Sequence, residues 1–231
     1  MDTETTAIKR KPKFIYFDVG NVLLSRKIPV QEAWARELGV PAGQRAEWMG
    51  KINKNRPRKL NSMFRKIRTV DDQARFFEEL ARFVLKESGI KESEEMVSKM
   101  KDHAMKGEFI LDEDAIPVLE HLHKRYKLGI ITNSLPSRRY HELEIFGLSK
   151  YFDVIIISKE TGHQKPSREI FELAIKRSGV NADDILFIDD KVSNVRGARA
   201  AGIDNVLLFG RKGAYSKYPC VKRLRDLQDL L

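Results

Sequence analysis

The chain has 231 residues, 42% of them hydrophobic and 33% charged, with a formal net charge of +10 and a single cysteine. That is enough apolar material for one large domain, or for a core carrying an insertion. Cys220 alone excludes an internal disulfide and suits a reducing compartment. No apolar run nears the roughly 18–20 residues needed to cross a bilayer, and the first residues lack the apolar core of a secretory signal. The expectation is a cytoplasmic protein with no membrane partner, whose basic balance favours anionic ligands.

In chain order, residues 1–12 are read as a flexible tail, basic through Lys9, Arg10 and Lys11. Phe14, Ile15, Tyr16 and Phe17 then run without a polar break into Asp18, the pattern of a strand covered on both faces. Gly20-Asn21 follows. Asp18 therefore either opens a turn or stands at the carboxyl end of a buried strand, where open α/β sheets place their ligands. Val22, Leu23 and Leu24 suggest a short second strand or flap.

From 26 to 107 the texture turns helical. Phe77, Leu80, Ala81 and Val84 recur at helical spacing, as do Met96, Val97, Met100 and Ala104, and no strand is expected there. The middle of the stretch holds Arg45, Lys51, Lys54, Arg56, Arg58, Lys59, Arg65, Lys66 and Arg68 against one acid, Glu47. It is either a solvated helical face or an anion-attracting surface, over a phosphate site or along a nucleic acid backbone.

From Asp112 onward strand and helix alternate. Asp112 or Asp114 is placed to cap a helix through Ile116, Leu119 and Leu122. Strands are expected at 128–132, 152–157, 185–188 and 205–209. Helices follow them through Tyr140, Leu143 and Ile145, through Ile170, Phe171 and Ala174, and through Val195, Ala198 and Ala201. Leu224, Leu227, Leu230 and Leu231 put a last amphipathic helix over 221–231. This alternation predicts a three-layer α/β core at 13–25 and 108–231, with a Rossmann-like, mostly parallel sheet. An all-helical cap at 26–107 interrupts it.

The strand ends then deliver Asp18, Thr132-Asn133, Lys165 and Asp189-Asp190 to one edge of the sheet. Each has work to do on a phosphate. A carboxylate can attack phosphorus, a hydroxyl and backbone N–H groups can hold phosphoryl oxygens, and a lysine offsets negative charge. Paired acids suit Mg²⁺, which takes oxygen ligands. Each also has a plain reading: Thr132 as a strand-end hydroxyl, Lys165 as a surface loop lysine, Asp190 as a helix cap. His163, two residues before Lys165, is either a surface histidine or within reach of the site.

These residues fall in four motifs: Phe17-Asp18-Val19-Gly20-Asn21, Ile130-Ile131-Thr132-Asn133-Ser134, Lys165-Pro166 with Glu169-Ile170-Phe171, and Phe187-Ile188-Asp189-Asp190-Lys191-Val192-Ser193-Asn194. In that order, over about residues 13–210, they resemble the haloacid dehalogenase (HAD) superfamily, and the helical stretch resembles its four-helix cap. The resemblance implies Asp18 as nucleophile, with Mg²⁺ held by Asp18, the Gly20 carbonyl and Asp189. Asp190 is implied as a further ligand or a supporting acid. Thr132, helped by the Asn133 backbone, would hold the phosphoryl group, and Lys165 would brace the nucleophile. Asn194 stands where many members carry an acid and would orient Asp189 or a metal-bound water.

One position departs from the pattern. Phosphatases of the family usually carry a second aspartate two residues after the nucleophile, and Gly20 stands there. A missing general acid/base is worth roughly 10²- to 10⁴-fold in rate. Members with an Asp-x-Gly-Asn motif resemble sugar-phosphate phosphatases and the phosphatase-like half of epoxide hydrolases. The expected function is therefore Mg²⁺-dependent hydrolysis of a small phosphorylated metabolite, a sugar phosphate among the candidates. Two alternatives stay open. One is a non-catalytic binder whose basic cap holds an anionic partner such as nucleic acid. The other is a metal-free 2-haloacid dehalogenase, against which Asp189-Asp190 speaks. If residues 45–68 face the site, the substrate carries more than one anionic group.

Overall fold

The computed structural model of the protein describes residue 8, residues 10–210 and residues 218–231. Its elements in chain order are β1 (Phe14–Phe17), β2 (Leu24–Arg26), α1 (Val30–Glu37), α2 (Arg45–Asn55), α3 (Arg58–Lys66), α4 (Val70–Glu87), α5 (Glu94–Lys106), β3 (Phe109–Leu111), α6 (Ala115–His123), β4 (Lys127–Thr132), β5 (Val154–Ile157), α7 (Ser158–Thr161), α8 (Arg168–Ser178), β6 (Ile185–Asp189), α9 (Val192–Ala200), β7 (Asn205–Phe209), β8 (Cys220–Val221) and α10 (Asp226–Leu230). They form two units. The first holds the described residues through Ser25, Ile110–Ser134, and the described residues from Leu143 on; the second holds Arg26–Phe109 and Leu135–Glu142.

The first unit is built on a six-stranded sheet in the order β5-β4-β1-β6-β7-β8. β1 lies inside it, parallel to both neighbours, with Phe17 opposite Ile130 on one side and Ile188 on the other. The unbroken apolar run of β1 follows from this position, because alternate side chains enter separate cores. Ile15 and Phe17 pack with Leu119, Leu122 and Leu143. Phe14 and Tyr16 pack with Ile170, Phe171 and Ala174. The Tyr16 hydroxyl donates to the Ala174 carbonyl at 2.8 Å, and burial pushes its phenol well above the ordinary value.

The amino-terminal tail expected over 1–12 falls mostly outside the described residues. Of those described, Pro12 is buried, Ile8 packs on the core, and Arg10 pairs with Asp184 at 3.1 Å. Asp114 takes the N-cap position of α6 but makes no side-chain cap bond; Asp112 Oδ1 accepts the Asp114 N–H instead, at 3.0 Å. The helix expected over 221–231 shrinks to the five residues of α10, since Cys220 and Val221 pair with β7 as an edge strand.

The second unit is helical from α1 to α5 around Trp34, Phe76, Phe77, Leu80 and Met100. The Trp34 indole N–H donates to the Met100 carbonyl at 3.0 Å. A reciprocal capping box starts α4, in which Thr69 and Asp72 satisfy each other's backbone N–H. The residues after β4 join this unit. Gln73 of α4, fully buried, donates to Ser137 Oγ at 2.8 Å and accepts the Ser137 N–H at 2.9 Å. In place of the helix expected through Tyr140 there is a six-residue π-helical turn, Arg138–Leu143; the Tyr140 side chain lies outside the described residues. The basic stretch is partly neutralised: Arg45 pairs with Glu32 at 2.8 Å and Lys59 with Glu79 at 2.9 Å.

Candidate active site

Asp18 follows β1, Thr132 ends β4 and Asp189 ends β6, so three adjacent parallel strands release these side chains at one edge of the first unit. Lys165 arrives on the loop between α7 and α8. It is 2% exposed, and Asp18, Thr132 and Asp189 are buried with it. Burying four polar groups together is costly unless they pair. Lys165 Nζ meets that requirement for itself and the two acids, 2.9 Å from Asp18 Oδ1 and 2.5 Å from Asp189 Oδ2. Its ammonium also lies 5.4 Å from the centre of the Phe187 ring. Lys165 is thus a loop residue but a buried one, and the plain reading of it as a surface loop lysine does not describe its surroundings.

The loop that brings Lys165 in is held at two points. Asn133 clamps its backbone, donating through Nδ2 to the Lys165 carbonyl at 2.7 Å and accepting the Lys165 N–H at Oδ1 at 2.8 Å. This clamp fixes the Asn133 side chain against the loop and leaves one Nδ2 hydrogen outside it. The second point is Gly197 of α9: a Cβ there would stand 2.5 Å from the Pro166 carbonyl oxygen, so a glycine is needed for the helix to approach the Lys165-Pro166 step.

The adjacent aspartates have different surroundings. Both oxygens of Asp189 are already engaged. Oδ1 accepts the Lys191 N–H and Asn194 Nδ2, each at 2.9 Å, and Oδ2 accepts Lys165 Nζ and Asn194 Nδ2, the latter at 3.0 Å. Burial raises its carboxyl pKa, Lys165 pulls it down, and the charge of Asp18 raises it again. Asp190 Oδ2 accepts only Asn21 Nδ2, at 3.1 Å, and its Oδ1 is buried with no hydrogen-bond partner among the described residues. The N-cap of α9 is Lys191, so Asp190 does not cap that helix. Asn21 belongs to the first motif, but the motif assigns its side chain no role. It adopts a left-handed φ of 59°, which asparagine tolerates better than most residues. Its position between Gly20 and Val22 gave a turn signal but no hint of its hydrogen bond.

Oxygens of Asp18, Asp189 and Asp190 all lie within 4.8 Å of one another. Three carboxylates with one buried, unpartnered oxygen suit a hard divalent cation such as Mg²⁺. Gly20 has no positive φ, and a Cβ there meets no atom within 4 Å. His163 is exposed, its backbone N–H turned to Thr161 Oγ1 of its own loop.

The chain is similar in sequence or fold to several known proteins. The chain is 34% identical over 104 residues to the glyceraldehyde 3-phosphate phosphatase of Methanopyrus kandleri, a stretch covering 44% of each chain. It is 33% identical over 102 residues to the ribulose-1,5-bisphosphate 5-phosphatase of Halopiger xanaduensis, covering 43% of each. The chain thus matches less than half the length of these curated relatives. Among solved structures, the magnesium-bound YfnB protein of Bacillus subtilis superposes with a TM-score of 0.63 at 22% identity, over 96% of this chain and 99% of that one. The family model of haloacid dehalogenase-like hydrolases matches residues 12–202, which contain all four motifs. The chain belongs to the haloacid dehalogenase-like hydrolases.

Proposed function

We propose that the protein is a Mg²⁺-dependent phosphatase of small phosphorylated metabolites, sugar phosphates foremost, acting through an aspartyl phosphate on Asp18. The observation that carries this reading is the pair of Asp18, braced by Lys165, and Asp190, whose buried Oδ1 has no hydrogen-bond partner among the described residues. The names of the two curated relatives support the substrate class.

Asp18 attacks phosphorus and forms the acyl phosphate, and the leaving oxygen departs. Lys165 offsets the charge of the nucleophile and of the phosphoryl oxygens. Thr132 and the Asn133 backbone hold those oxygens. Water then cleaves the acyl phosphate and restores Asp18. Asp18, the Gly20 carbonyl and Asp190 would hold the metal. Asp189, saturated by Lys165, Asn194 and Lys191, holds the lysine rather than the ion. When bound, Mg²⁺ supplies Lewis-acid charge stabilisation worth several kcal/mol. With Gly20 in the acid/base position, the leaving group takes its proton from solvent or from the substrate itself. That favours substrates with good leaving groups, such as sugar 1-phosphates.

The test is phosphate release from a panel of phosphorylated metabolites with and without Mg²⁺. Turnover that requires the metal and a phosphate ester supports the reading. No turnover across the panel would favour the non-catalytic binder, and metal-free halide release from a 2-haloacid would favour the dehalogenase.

A further inference from the structure

The opposite edge of the same sheet carries a second charged feature, which the reaction does not use. Phe14 pairs with Lys127, so Lys13 and Lys127 stand where β1 and β4 begin, at the far ends of those strands from Asp18 and Thr132. An open groove of about 720 Å³ lies there, with Lys11, Lys13, His123, Arg125 and Lys127 among its lining and no acid. All five are exposed. Asp184 partly neutralises Lys13, at 2.9 Å. The nearby carboxylate Asp153 is turned to the Leu128 N–H, at 3.0 Å. Lys11, Arg125 and Lys127 have no carboxylate partner among the described residues.

Helix ends account for part of this charge. α6 and α8 finish here, and cations at Lys124, Lys176 and Arg177 complement their C-terminal dipoles. Lys11, Lys13 and Lys127 lie on strand leads and have no such duty. The groove also lacks the converging N–H groups of a helix N-terminus that hold a single phosphate, since α6 and α8 end here rather than begin. What the groove offers instead is cations strung along an open trough, the footprint of a polyanion. Tyr126 at its floor cannot stack on a base. Its ring is buried, flanked by Arg125 at 5.4 Å and Lys11 at 6.0 Å, and its hydroxyl donates to the Leu231 carbonyl at 2.6 Å. No large exposed apolar side chain lines the groove to form the centre of a protein interface. We infer that this edge docks the phosphodiester backbone of a nucleic acid, without reading its sequence.

The test is fluorescence anisotropy of a short labelled RNA of mixed sequence, titrated at several KCl concentrations. The wild-type protein is expected to bind with steep salt dependence. The triple variant Lys11→Ser, Arg125→Ser, Lys127→Ser should bind at least ~10-fold more weakly at low salt, with the log–log salt slope reduced by about 2, near 0.7 per lost single-strand contact. Its circular dichroism and phosphate release should stay unchanged. Lys127→Glu alone, a single exposed change, should weaken binding more than Lys127→Ser. The inference is overturned if the wild-type protein shows no salt-sensitive binding, or if the triple variant binds like wild type. It is equally overturned if Arg58→Ser, Arg65→Ser, Lys66→Ser in the second unit abolishes binding instead. Displacement of the RNA by inorganic phosphate at equal phosphate concentration would mark a small-anion site and overturn it too.

Discussion

Lys165 Nζ and Asp189 Oδ2 stand 2.5 Å apart, with both side chains sealed from solvent. Taking away the cation leaves Asp189 and Asp18 facing each other unpaired, and breaking a buried pair in this way costs about 3–5 kcal/mol. Lys165→Met is therefore expected to lower the urea unfolding free energy by about that much. Lys165→Met with Asp189→Asn should recover part of the loss. Equal stability of the single variant and wild type would contradict the pairing.

The two asparagines beside the acids separate the roles of those acids. Asn21 holds Asp190 and Asn194 holds Asp189. If Asp190 is the metal ligand, Asn21→Ala weakens Mg²⁺ roughly 10-fold, the lower end of what a ligand's hydrogen-bonding partner contributes. Asn194→Ala should chiefly disturb Lys165 and turnover. Calorimetric Mg²⁺ titration of both variants decides this. Weakened metal binding in Asn194→Ala alone would return the ligand role to Asp189.

Gly20 leaves room for the missing acid, since its backbone is not in a glycine-only conformation and a Cβ meets nothing within 4 Å. Gly20→Asp is expected to raise kcat/KM, which reports loss of the leaving group, for poor leaving groups, by an amount approaching the roughly 10²-fold lower bound for general acid/base catalysis. The gain in kcat/KM should be small for p-nitrophenyl phosphate, which leaves without a proton. An equal effect on both substrates would sink the assignment of that position.

Much of this was readable in advance for physical reasons, and the exceptions also have causes. An apolar run such as Phe14 to Phe17 has few homes but the inside of a sheet, and the strand–helix alternation after it leaves little choice of topology. Spacing could not tell Asp189 from Asp190. The two are adjacent, and what separates them is that Lys165, 24 residues away, lies against one and not the other. The strand Phe109–Leu111 is three residues long and not fully buried, too short for a period to show. The joining of Leu135–Glu142 to the helical unit depends on Gln73, a buried polar residue whose partner no local pattern names. Nothing around Gly197 points to its close approach to Pro166, which is remote in sequence.

In the second unit, Asp72 accepts the Arg68 N–H at 3.1 Å and the Thr69 N–H at 3.0 Å, which holds its carboxyl down to about 2 against an ordinary 3.8. A depressed native value means that the cap's contribution is present in full above about pH 4 and is lost as pH falls through 2. Carboxyl-carbon NMR titration should place the Asp72 midpoint near 2. A midpoint at 3.8 would mean that the capping box does not hold the acid in solution.

In the proposed reaction Asp18 carries the phosphoryl group. Without an acid/base at position 20 to speed the water step, the acyl phosphate should accumulate. The most direct measurement is a single turnover with p-nitrophenyl phosphate and Mg²⁺, quenched in acid and followed by peptide mass spectrometry. The expected result is one phosphoryl group on the peptide containing Asp18, absent from Asp18→Asn, which also releases no phosphate. Phosphate release without any adduct at Asp18, continuing undiminished in Asp18→Asn, would contradict the account.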